Sequence, residues 1–190
     1  MDWKEIIQIL ALATGVPYIV LEILQKRAMW IIGFLTGAAC AVAFAADRNW
    51  GQMGLNCYYV VMSAVGLWAW KKDGEKVGKG EIHLRRLDRK TALWSALAFV
   101  FGSLALIWVL RLLGGELSTL DASATVLSII GTVWLARSIP EQWMIWIVAD
   151  VMTSSLCFMQ GNVWMGVLYV AYILSAVYGW FHWVKKGKQV

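Results

Sequence analysis

The feature that most constrains this chain is a series of apolar runs, each close to twenty residues, along nearly its whole length. A helix rises about 1.5 Å per residue, so about twenty residues cross the roughly 30 Å hydrocarbon core of a bilayer. Because 60% of the residues are apolar, little polar surface is left for a soluble domain. The sequence therefore predicts an all-α integral membrane protein with seven spans, near residues 6–24, 28–46, 50–70, 92–113, 119–137, 140–159 and 162–183.

The basic residues are divided unevenly between the two sides that seven spans define. Fourteen Lys and Arg residues fall on one side and three on the other. Eight of the fourteen lie in the polar segment 71–91, which we expect to be a solvated loop that could contain a short surface helix. The positive-inside rule then predicts an N-terminus outside the cytoplasm and a cytoplasmic C-terminus. Anionic lipids of the inner leaflet account for the net charge of +5, so no nucleic-acid partner is needed.

The chain contains an internal repeat. A shift of 113 residues aligns Trp30 with Trp143, Asn49 with Asn162, Tyr59 with Tyr172, Gly66 with Gly179, and Trp70 with Trp183. Two three-span repeats joined by one further span share the same orientation in the membrane, an arrangement found in some transporters, although a structural protein could also arise by duplication. We therefore predict two parallel three-helix repeats, residues 1–70 and 119–183, separated by the cytoplasmic loop 71–91 and the linker helix 92–113, with a cytoplasmic tail at 184–190.

One carboxylate, Asp150, lies in the middle of the sixth span. An ionisable group there costs at least about 2.5 kcal/mol and marks a candidate functional site. The helical rise from Pro140 places Asp150 about 15 Å into the membrane, near its midplane. At about 100° per residue, Trp143, Trp146 and Asp150 share one helix face. Two indole planes and one anion suit a flat, cationic ring as substrate.

Four further polar residues are candidates for substrate binding, because they lie at comparable depth or at aligned positions of the repeat: Asn56, Tyr59, Tyr169 and Tyr172. Each candidate also has a structural interpretation. Asp150 could be a protonated carboxyl bonded to a neighbouring helix, and Asn56 could join two helices by a hydrogen bond. Trp143 could belong with the tryptophans near span ends, which we expect to form an interfacial belt: Trp30, Trp68, Trp70, Trp180 and Trp183.

The sequence carries no signature of catalysis, of a cofactor or of a metal site. The segment GEKVGKG lacks the spacing and the following Ser or Thr of a phosphate-binding loop. His83 lies in the polar loop and His182 at a membrane edge, so they form no cluster. A membrane enzyme would show chemical turnover, and a structural subunit would show no saturable flux. Transport is the function that the sequence favours.

Two stretches of the sequence resemble the two halves of the PnuC family of bacterial vitamin transporters. They are WIIGFLTGAACAVAFAADRNWGQMGLNCYYVVMSAVGLWAW and EQWMIWIVADVMTSSLCFMQGNVWMGVLYVAYILSAVYGWFHW. The Trp-xx-Trp face of the sixth span and the Tyr-rich third and seventh spans are the most specific parts. The resemblance implies a three-plus-one-plus-three fold like that of SWEET-class sugar porters, a homotrimer in the bacterial cytoplasmic (inner) membrane, and facilitated diffusion of an unphosphorylated vitamin. A cytoplasmic kinase would then trap the substrate.

The resemblance also assigns roles to individual residues. Trp143 and Trp146 match aromatic residues that sandwich the substrate ring. Asp150 occupies a position that is commonly Asn in nicotinamide riboside transporters, and Asn56 stands where many members have Gln. Nicotinamide riboside is the first expected cargo because it is the commoner assignment. Thiamine is the alternative, since both molecules contain a fixed positive ring that Asp150 would suit.

Overall fold

The computed structural model describes residues 14–46, 50–78, 81–112, 119–161 and 163–190. These residues form seven helices and two short strands: α1 (Thr14–Ile23), α2 (Ala28–Ala46), α3 (Trp50–Val77), β1 (His83–Leu84), α4 (Arg89–Leu112), α5 (Thr119–Ala136), α6 (Gln142–Met159), α7 (Val163–Lys186) and β2 (Lys188–Gln189). Five helices, α2 and α4 to α7, are long and apolar enough to cross a membrane. Residues 6–13 of the predicted first span, and the aligned Asn49 and Asn162, lie outside the described residues.

Two helix ends differ from the predicted spans for local reasons. Helix α3 ends at Val77 rather than at residue 70, because charged residues prolong a helix as readily as apolar ones. It stops at Gly78, which has φ +111° and donates its N–H to the Gly74 carbonyl at 3.2 Å. Helix α4 begins at Arg89 rather than at residue 92. The Asp88 carboxylate accepts a hydrogen bond from the Thr91 N–H at 3.3 Å and so caps this helix.

Part of the predicted solvated loop is buried in the protein. His83 is 3% exposed and Asp73 is fully buried. The side-chain amide of Gln25 binds both peptide groups of His83: Nε2 donates to the carbonyl at 2.9 Å, and Oε1 accepts from the N–H at 2.7 Å. The Lys188 N–H donates to the Ile82 carbonyl at 2.7 Å, which joins the C-terminal strand to this segment. The expectation of a solvated loop is therefore wrong at Asp73 and from Ile82 to Leu84.

The chain groups into two compact units. The first comprises the chain up to His83, with Ala136–Ser138 and Lys186–Val190, and the second comprises Leu84–Leu135 and Ile139–Lys185. In the first unit, α2 and α3 pack closely at Gly37 of α2 and at Gly66 of α3. A Cβ on Gly37 would lie 3.2 Å from the Val60 side chain, and one on Gly66 would lie only 2.4 Å from the Trp30 ring.

The second unit has an apolar core on one face of α5. Val126, Ile130 and Trp134 are its buried members on that helix, and they repeat at helical spacing. Phe99 and Leu106 of α4 pack against them. The Trp134 indole Nε1 donates to the Ser95 hydroxyl at 2.9 Å, so its one polar atom is satisfied within this packing.

The predicted repeat is visible in the local geometry of two connections between helices. Gln25 and Ser138 stand 113 residues apart, and they are the described non-glycine residues with positive φ, 49° and 57°. The next residue in each connection donates its N–H to a carbonyl five positions earlier: Lys26 to Leu21 at 2.8 Å, and Ile139 to Trp134 at 3.0 Å. The α1–α2 and α5–α6 connections thus share one backbone conformation, which supports duplication.

Candidate substrate-binding site

Asp150 lies eight residues beyond Gln142, the first residue of α6, and therefore about 12 Å along the helix. The phenol of Tyr172, on α7, lies close enough to interact electrostatically with this carboxylate. Within the described part of the chain, no Lys, Arg or His side chain forms an ion pair with Asp150. The site thus holds a mid-helix carboxylate with the hydroxyl of Tyr172 within electrostatic range.

Trp146 lies one turn before Asp150 and packs on a glycine of α5. A Cβ placed on Gly131 would lie 3.3 Å from Trp146 Cε2. The absence of a side chain at Gly131 lets the indole rest against the helix backbone. The Trp146 Nε1–H is buried and has no hydrogen-bond partner among the described residues. The Trp146 ring is therefore held by packing against α5, and its N–H is left without an acceptor in this part of the structure.

Trp143 lies in the packing of α6 against α7. It is 2% exposed, and its ring meets the Trp183 ring edge to face, with centroids 5.5 Å apart and planes at 86°. A Cβ on Gly179 would lie only 2.6 Å from the Trp143 ring, so this position requires glycine. In this conformation, Trp143 joins two helices and is not open to a ligand.

The first unit contains the same arrangement at its aligned residues. Trp30 and Trp70 are each 1% exposed, their ring centroids lie 5.3 Å apart at 78°, and Trp30 covers Gly66. The expectation of an interfacial belt is therefore wrong for Trp30, Trp70 and Trp183, the last of which is fully buried. Trp30 and Trp143 each lie opposite a glycine, which leaves room for a large ring between the paired helices. Trp70 and Trp183 are buried against these two rings.

The remaining candidates are divided between the units. Tyr169 and Tyr172 lie on α7 in the second unit, with ring centroids 5.7 Å apart at 81°. The second unit thus brings together Trp146, Asp150 and Tyr172. Tyr59 and Asn56 lie on α3 in the first unit. The Tyr59 ring lies 5.5 Å from that of Tyr58.

Sequence reasoning missed two residues of α1, Tyr18 and Glu22. Tyr18 lies within electrostatic range of Glu22 and of Tyr59, all in the first unit. Their spacing of four residues puts both on one helix face, and the 113-residue shift aligns Tyr18 with Gly131. The four-residue spacing is the sequence signal that points to them.

Comparisons with known proteins agree with this architecture. The family described as nicotinamide mononucleotide transporter matches residues 5–185. The nicotinamide riboside transporter PnuC of Neisseria mucosa is 31% identical over 189 residues, covering 94% of this chain and 72% of that protein. The riboflavin/roseoflavin transporter RibM of Streptomyces davaonensis is 24% identical over 173 residues, covering 86% of this chain and 78% of that protein.

A solved structure is similar as well. The crystal structure of the vitamin B3 transporter PnuC matches with a TM-score of 0.70 and 28% identity, covering 93% of this chain and 79% of that one. These relatives are transporters rather than enzymes, so the chain is a multi-pass transporter of the inner membrane. The resemblance to PnuC proteins is thereby confirmed, and the chain belongs to the nicotinamide mononucleotide transporter family.

Proposed function

We propose that this transporter carries nicotinamide riboside into the cell, with Asp150 as the counter-charge of the cationic nicotinamide ring. Trp146 stacks on the ring, and Tyr172 donates or accepts a hydrogen bond beside it. The observation that carries the proposal is a mid-helix carboxylate one helical turn from an indole that packs on α5, with a phenol of α7 within electrostatic range. The name of the Neisseria relative supports the choice of cargo.

Thiamine is the second candidate, because its thiazolium ring also carries a fixed positive charge. The riboflavin/roseoflavin transporter RibM suggests that cargo varies among proteins similar to this one. A neutral flavin ring would gain nothing from Asp150, so riboflavin fits this site less well.

The proposed transport is facilitated diffusion followed by phosphorylation in the cytoplasm. The two three-helix repeats would have the same orientation in the membrane, as in SWEET-class porters, and would be joined by α4, with three such chains in a homotrimer. The matching connections after α1 and α5 support the repeats. The asymmetry of basic residues supports an outside N-terminus and a cytoplasmic C-terminus.

The decisive experiment measures uptake into proteoliposomes and binding by calorimetry, with nicotinamide riboside and thiamine each competing against the other. We expect Asp150→Leu to weaken binding at least about tenfold, since charges 4 Å apart at an effective dielectric constant near 20 gain about 4 kcal/mol before desolvation. Asp150→Asn keeps a hydrogen-bonding group, so it should spare nicotinamide riboside relative to thiamine. Unchanged affinity in Asp150→Leu, with only lower thermal stability, would give Asp150 a structural role instead.

The two tryptophans of α6 provide a comparison within one helix. Trp143 would reach a ligand only if α6 and α7 separated, because its ring is buried against Gly179 and Trp183. We expect Trp146→Leu to weaken binding several-fold through loss of stacking worth about 1–2 kcal/mol. Trp143→Phe should mainly lower the thermal midpoint. A larger loss of binding affinity in Trp143→Phe than in Trp146→Leu would show that Trp143 belongs to the substrate-binding site.

A further inference from the structure

One glycine of α5 contacts a ring of the candidate substrate-binding site. Gly131 is buried in the interior of α5, where glycine is less favourable than alanine. Its φ is not positive, unlike the φ of Gly78 and Gly161, so its backbone conformation does not require glycine. The reason for a glycine at this position is therefore the space that a side chain would occupy.

Two consecutive residues of α6 occupy that space. A Cβ built on Gly131 would lie 3.3 Å from Ile145 Cγ2 and 3.3 Å from Trp146 Cε2, with Trp146 Cζ2 at 3.5 Å. At 3.3 Å, a neighbour must move by a few tenths of an ångström before a methyl group fits. Because Cε2 is bonded to Nε1, the edge of the indole that carries the N–H is the edge that meets Gly131.

The two neighbours of Gly131 differ in how firmly they are held. Ile145 packs against the apolar core of the second unit, which includes Ile130 and Trp134, and a close-packed core leaves little room for movement. Trp146 is not among the residues that pack on that core, and its Nε1–H donates no hydrogen bond to a described residue. A side chain at residue 131 would therefore displace the Trp146 ring rather than Ile145.

Displacement of this ring would change the geometry of the proposed site. Trp146 and Asp150 lie one turn apart on α6, so one cation can contact both only if the ring and the carboxylate are correctly placed. A methyl group at residue 131 would move the ring without moving the carboxylate, which lies a further turn along α6. Binding groups must be held within about 0.5 Å of their productive positions, so a small shift of the ring is enough to weaken binding.

We propose that Gly131 is a positioning residue of the substrate-binding site. The absence of a side chain at this position sets where the Trp146 ring lies and so aligns the ring with the Asp150 carboxylate for a flat, positively charged cargo. This inference rests on the proposed function. Gly131 acts through Trp146 and does not itself contact the cargo.

The test compares two glycine variants that introduce the same crowding at different places in the second unit. Gly131→Ala crowds Trp146, whereas Gly102→Ala of α4 would place its Cβ 3.3 Å from the Val126 side chain in the apolar core. Calorimetry with nicotinamide riboside measures the affinity of each folded variant. We expect Gly131→Ala to weaken binding at least about threefold, and Gly102→Ala to bind as tightly as wild-type protein. Wild-type affinity in Gly131→Ala would overturn the inference and would leave the proposed function standing.

A double variant shows whether Gly131 acts through the indole. Leucine lacks the ring atoms that contact Gly131, so adding Gly131→Ala to Trp146→Leu should weaken binding no further. A further loss equal to that of Gly131→Ala alone would overturn the inference, because the effect would then bypass Trp146. If Gly131→Ala does not fold, the double variant should fold, and its failure to fold would also count against the inference. Failure of wild-type protein to bind nicotinamide riboside or thiamine would instead remove the proposed function, and the inference with it.

Discussion

Trp30 and Trp143 show how one residue fixes the packing of a helix pair. Each indole fills a gap opened by a glycine on the facing helix and meets a second tryptophan edge to face. Such ring pairs contribute about 0.5–1.5 kcal/mol beyond the area they bury. The glycine matters as much as the ring, because a side chain there would occupy the same volume.

This packing predicts opposite effects of one substitution at two places on α3. Gly66→Ala would place a Cβ 2.4 Å from the Trp30 ring, and overpacking of this kind costs about 1–3 kcal/mol. Gly74→Ala meets no atom within 4 Å, so it should be neutral or stabilise the helix by about 0.5–1 kcal/mol. Thermal unfolding in detergent measures both. Equal midpoints for the two variants would show that the Trp30 ring moves aside freely.

The same substitution in the second unit should reproduce the loss. Gly179→Ala would place its Cβ 2.6 Å from the Trp143 ring, so we expect a destabilisation like that of Gly66→Ala. A stable Gly179→Ala protein beside an unstable Gly66→Ala protein would argue that the two helix pairs are not equivalent.

At the scale of elements, the α1–α2 and α5–α6 connections hold a non-glycine residue in a left-handed backbone conformation. This conformation costs a residue with a Cβ about 1–2 kcal/mol. Gln25 offsets the cost with two hydrogen bonds to the peptide groups of His83. Ser138 is fully buried, and its hydroxyl has no hydrogen-bond partner among the described residues. The same backbone is therefore supported by different means.

This difference predicts opposite signs for glycine at the two positions. Ser138→Gly removes the backbone strain and a buried hydroxyl, so we expect the protein to gain about 1 kcal/mol. Gln25→Gly relieves the same strain but loses two buried hydrogen bonds worth about 0.5–1.5 kcal/mol each, and it leaves peptide groups to be satisfied otherwise. It should destabilise the protein. The midpoints of thermal unfolding in one detergent decide the matter, and a gain in both variants would remove the role assigned to the Gln25 amide.

At the scale of the whole molecule, the asymmetry of fourteen to three basic residues predicts how the chain lies in the membrane. A fluorescent protein fused to the C-terminus should fluoresce, since it would fold in the cytoplasm. Alkaline phosphatase fused at residue 80 should be inactive for the same reason. Active phosphatase at that position would exclude seven spans in the predicted orientation.

The distribution of intramembrane acidic groups predicts the energetics of transport. Coupling to an ion gradient generally uses a relay of acidic or His side chains along the path. Asp150 and Glu22 lie in different units and are too few for such a relay. Proteoliposomes should therefore equilibrate the vitamin without concentrating it. Accumulation above the outside concentration, driven by a sodium or proton gradient, would contradict facilitated diffusion.

The sequence by itself determined the five helices that are long and apolar enough to cross a membrane, because apolar length is a local property and each helix satisfies its own backbone hydrogen bonds. It also determined the correspondence between the halves, since aligned residues such as Trp30 and Trp143 are identical, and it singled out Asp150 because a carboxylate in a span is conspicuous. The prediction of a solvated loop is wrong in two places. Charged residues extend α3 to Val77, and hydrogen bonds from the Gln25 side chain hold His83 in the protein interior.

Only the tertiary structure decided what each aromatic residue does. Trp143 and Trp146 look alike from sequence, being on one face of one helix. Their environments differ because Gly179 of α7 receives the first ring and Gly131 of α5 receives the second. Burial of a side chain is set by residues far away in the chain, so spacing within one span cannot specify it.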